Sequence, residues 1–168
     1  AMFRKMFGGE SFFLGKYSHK NGGKLTFAPA VPGSVERYFL SNNKLNIMAG
    51  SFLACTPGVN IKAKFGGLKA LFSGEGAFLL EASGNGDLFF NSFGGIVEKK
   101  IEGDFIVDSG HVVAFEPSLN YKISGMGNWK STMLSGEGLV MTFNGSGKIY
   151  LQTRTIDSLA SWLTPRLL

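Results

Sequence analysis

The chain has 168 residues, 44% apolar and 17% charged, with a formal net charge of +5 and one cysteine. That length suits a single domain, residues 1–168, with a sizeable core; the composition excludes a disordered chain, and no run of about 18 apolar residues exists to span a bilayer. The lone Cys55 rules out an internal disulfide and a cysteine-based zinc site, and fits a reducing cytoplasm.

The opening "AMFRKMFGGESFF" reaches Gly8, Gly9 and Glu10 before any continuous apolar stretch, so no targeting segment is expected. Residues 1–70 carry ten Lys or Arg against Glu10 and Glu36, a balance of +8, whereas residues 71–168 carry seven against ten acids, a balance of −3. One face is therefore expected to be basic, with Lys62 and Lys64 among its residues. The dispersal of these lysines through strands and turns favours a solvated surface over a nucleic-acid groove.

From Ala49 the pattern becomes periodic. "AGSFLACTPGVNIK" reads as a strand, a turn at Pro57 and a returning strand with a lysine; "SGEG" at Ser73–Gly76 then links to a strand whose Phe78, Leu80 and Ala82 share one face. "GNGDLFF" reads as a hairpin turn. The series then starts again. "SGHVVAFEPSLNYK" lies over the first stretch at an offset of 60, placing Gly50, Ala54, Pro57, Asn60 and Lys62 on Gly110, Ala114, Pro117, Asn120 and Lys122. "SGEG" returns at Ser135–Gly138, followed by Leu139, Met141 and Phe143 on one face and by "GSGKIYL". A relaxed copy, "FGGESFFLGKY", begins at Phe7 and leads to "NGGKLTF". Repeats are expected at about 1–48 (partial), 49–108 and 109–168. In the last, Ile156, Leu159, Ala160 and Leu163 have helical spacing, with Thr155 as N-cap and Pro165 as stop, so a short C-terminal helix packed on the sheets is expected. Units of this size cannot bury their own apolar faces; three around a pseudo-threefold axis would share a core and cover each other's edge strands.

The ordered set "GGESFF", "GSFLACTPGV", "FSGEGAFLL", "DSGHVVAFEPSLNY", "SGEGLVMTFNGSGKIYLQTR" and "SLASWL" resembles the altered-inheritance-of-mitochondria 24 family. The resemblance implies an all-β double-stranded β-helix of three repeats, each similar to a subunit of the trp RNA-binding attenuation protein, and no established enzyme activity. Family members are longer at the N-terminus by roughly the missing half-repeat. The repeat alone leaves two expectations, a shortened first copy or a hairpin supplied by a neighbouring chain, and the resemblance favours the shortened copy.

Glu10, Glu75 and Glu137 recur with the repeat. Three carboxylates around an axis could ligate a hard cation, but a glutamate between glycines also accepts backbone N–H bonds, and that structural role is expected for Glu75 and Glu137. Asp108, Ser109 and His111 lie close in sequence, yet the paired copy has no histidine there, and a strand turn is the expected reading. Neither glycine stretch matches a phosphate-binding loop. Trp129 is expected in an exposed loop. No metal ligand, catalytic group or cofactor site is expected. The expected function is a non-enzymatic scaffold or protein-interaction module, self-associating or with protein partners. The alternatives are single-stranded nucleic acid binding on the basic face, using Lys62, Lys64 and Trp129, and, more weakly, a small-molecule β-barrel.

Overall fold

A computed structural model of the chain describes residues 5–7, 10–12, 14–64, 79–125 and 139–167. Short strands β1 (Lys5–Phe7) and β2 (Glu10–Phe12) pair with each other. Residues 14–34 form no strand, and Tyr17, Leu25 and Phe27 are exposed there, so the apolar strand expected after Glu10 does not continue.

The body is an eight-stranded sheet built from two like series. The first runs β3 (Val35–Met48), a 3-10 turn at Ala49–Ser51, β4 (Phe52–Cys55), β5 (Val59–Lys64) and β6 (Leu79–Asn91). The second runs β7 (Ile96–Asp108), a 3-10 turn at Ser109–His111, β8 (Val112–Phe115), β9 (Asn120–Gly125) and β10 (Leu139–Gln152). Each series begins about 13 residues before the predicted repeat, because a long strand precedes each 3-10 turn. The strand order is β4-β6-β3-β8-β10-β7; β5 lies beside β4 on β6, and β9 beside β8 on β10. All the named pairings are antiparallel. The described residues form an open antiparallel sheet with one C-terminal helix.

Sequence explains the long strands. In β3 the inward side chain Leu40 is at an even position and Leu45 and Ile47 at odd ones, all fully buried. The switch of parity falls at a register shift between Ser41 and Asn43, where Asn42 has φ 55. One extra residue in a strand exchanges its faces, and asparagine tolerates the left-handed backbone that the bulge needs. The core has two clusters. Leu40, Leu45, Ile47, Leu88, Phe90 and Ala114 centre the first; Phe115, Met141, Phe143, Ile149, Ile101 and Leu79 centre the second.

Two expectations about the edges of this body need correction. "GNGDLFF" and "GSGKIYL" are not hairpin turns; both lie inside the single long strands β6 and β10. The C-terminal helix α1 (Ile156–Leu167) does exist, and Thr155 caps it by accepting from Ser158 N at 3.1 Å. Pro165 does not stop it: proline in the last turn forfeits a single ladder bond, and side-chain donors of Thr164 and Arg166 reach the Ala160 and Trp162 carbonyls. Nor is α1 tightly packed, since none of its residues is buried and Ile156, Leu159 and Trp162 are exposed.

Candidate functional site

The repeated prolines and glycines form one local device, made twice. Pro57 lies in the turn between β4 and β5, and the long strand β6 crosses that turn at its glycines: Thr56 N donates to Asp87 O (2.9 Å), Asn85 N to Gly58 O (3.0 Å) and Asp87 N to Thr56 Oγ1 (2.9 Å). In the second series, Pro117 lies in the turn before β9; Glu116 N donates to Lys148 O (2.9 Å) and Lys148 N to Glu116 Oε2 (2.9 Å). Gly84 has φ 120 and Gly145 φ 123; a side chain at either would point at the carbonyl of Gly58 or Ser118. The glycines thus allow a turn to sit against a bent strand.

Gly50 and Gly110 lie in the two 3-10 turns, which face a common cavity of about 510 Å³ with Asn91, Gln152 and Thr155. Its polar groups already serve each other. Gln152 Nε2 donates to Gly110 O (2.6 Å), its Oε1 accepts from Phe93 N (2.8 Å), and Asp108 Oδ1 accepts from Gly110 N (2.8 Å). His111 Nδ1 meets Gln152 O at 2.7 Å, so this ring nitrogen and the Asp108 carboxylate are each tied to backbone rather than to a nucleophile. Among the described residues no group of three or more His, Cys, Asp or Glu could hold a metal. Glu10 starts β2, while Glu75, Glu137 and Trp129 lie outside the described residues.

Of the two predicted lysines, Lys62 is exposed on β5 and Lys64 is committed. Glu81, only 8% exposed, receives Lys64 Nζ at 2.6 Å and Lys44 Nζ at 3.1 Å, and Lys64 also donates to Asn46 Oδ1 at 3.4 Å. The hydrogen bond from Lys64, followed by that from Lys44, holds the Glu81 carboxyl below the usual range against the opposing effect of burial. Burial pushes the Cys55 thiol up, and burial with the nearby Glu98 carboxylate raises the Tyr150 phenol far above its ordinary value. These shifts belong to packing: burial is the first cause of both, and Glu98, the carboxylate beside Tyr150, is itself held by Lys148 at 2.7 Å.

The feature that sequence did not single out is the pair of sheet ends. In the interior, β8 lies between β10 and β3, with Phe115 opposite Asn46 and Ala114 opposite Ile47; Val113, Ala114 and Phe115 are fully buried. The equivalent β4 has its bulge at the same place, Leu53 matching Val113, and among the described residues it pairs only with β6. Leu53, Ala54 and Cys55 are half-buried. At the other end β7 pairs only with β10 among the described residues, and Ile106 is 66% exposed where its counterpart Asn46 on β3 is 4% exposed. Exposure of a large apolar residue on an unpaired edge is a signal that the repeat offset of 60 would have located, once it was known which strand each unit lends to the next.

Residues 1–154 match the family described as mitochondrial biogenesis AIM24. An uncharacterised protein of Streptococcus pyogenes serotype M6 is 34% identical over 166 residues, an alignment covering 97% of this chain and 67% of that protein. A crystal structure of a Streptococcus pyogenes protein superposes with a TM-score of 0.73 at 32% identity, over 84% of this chain and 63% of that one. The chain therefore spans about two thirds of the length of these relatives. Motif order, a sheet shared with a solved relative and a match over nearly the whole length agree, and the chain belongs to the AIM24 family.

Proposed function

We propose that the chain is a non-enzymatic scaffold, a protein-interaction module of the cytoplasm that engages partners by strand pairing at the open ends of its sheet. The observation that carries this reading is the contrast between equivalent positions: Asn46 is 4% exposed beside β8, and Ile106 is 66% exposed on the edge of β7 that no other described strand pairs with. An unpaired strand offers a row of backbone donors and acceptors, and flanking apolar side chains add affinity. The finer architecture belongs to the same reading. Two units of identical element order, joined where β3 of the first pairs with β8 of the second, are parts from which a threefold β-helix could be assembled.

The basic face carries nucleic acid less well, because Lys44 and Lys64 are bound to Glu81 and only Lys62 of that group stands clear. A small-molecule site in the cavity between the 3-10 turns is the weaker reading, since Gln152 and Asp108 there already hold backbone groups. The test compares proteins retained from native cells by the wild-type chain and by a chain carrying Leu53→Lys with Ile106→Lys. Loss of specific partners in the variant supports edge pairing; an unchanged set overturns it. Filter binding of single-stranded oligonucleotides that falls by orders of magnitude between about 50 and 200 mM salt would favour the nucleic-acid reading.

A further inference from the structure

We draw no further inference here: the strongest candidate, the cavity between the two 3-10 turns with the buried side chains of Ser51, Asn91 and Ser109 on its wall, carries nothing, since the chain spans only about two thirds of the length of its relatives and nothing in the structure shows whether a ligand or further chain fills it.

Discussion

Strands β4 and β8 share length, bulge position and a following proline turn, yet Val113, Ala114 and Phe115 on β8 are fully buried while Leu53, Ala54 and Cys55 on β4 are half-buried. Their sequences do not cause the difference; a neighbour does. β3 covers the outer edge of β8, and among the described residues no strand does the same for β4. A repeat thus specifies the shape of a unit, while burial depends on what the adjacent unit contributes.

The comparison breaks most sharply at the interior junction. Phe115 packs edge-to-face on Phe143 and Tyr121, with ring centroids 5.0 and 5.2 Å apart, and is fully buried. Phe115→Ala should cost about 3–5 kcal/mol by urea denaturation. Cys55→Ala at the matching site should cost well under half of that, because the thiol is smaller and already half exposed.

Next are the paired glycine kinks. Gly84→Ala should cost about 2–3 kcal/mol, since the methyl group meets the Gly58 carbonyl as well as a positive φ; Gly145→Ala should cost about 1–2 kcal/mol, because the Ser118 carbonyl lies farther off at 3.1 Å. Thermal melts of the two variants side by side would sharpen the likeness of the units, and equal costs would contradict the asymmetry of the two turns.

A smaller effect separates the units electrostatically, for Glu81 binds two lysines in the first series where the second has Thr142. Glu81→Gln should destabilise by about 1 kcal/mol, the lysines being half exposed and free to rehydrate. The folded carboxyl lies below its unfolded value, so this contribution is present above the ordinary glutamate range and is lost as pH falls through the folded pKa. Stability curves of wild type and Glu81→Gln should therefore converge on acidification. The smallest effect is at the open edge, where Ile106→Ser should change monomer stability by no more than about 0.5 kcal/mol.

Much of the fold could be read from the chain. The offset of 60 paired Gly50 with Gly110 and Pro57 with Pro117, and the alternation at Leu80 and Ala82, and at Met141 and Phe143, marked residues that the core buries. The α1 start at Thr155 followed from capping chemistry. The glycine stretches misled because a glycine with positive φ serves a hairpin turn or a strand kink equally well, and only the turn packed across it distinguishes the two. The partners of Lys64 were hidden because Glu81 and Lys44 sit on other strands.

By itself, the sequence determined the unit: its strands, its bulges, its proline turns and the alternation that gives each strand an inward face, all of which follow from interactions over a few residues. Tertiary structure alone decided which edge is covered and which is open, because strand pairing joins residues far apart in the chain, such as Asn46 with Phe115, and nothing local to Ile106 records that its counterpart's neighbour is absent beside it among the described residues.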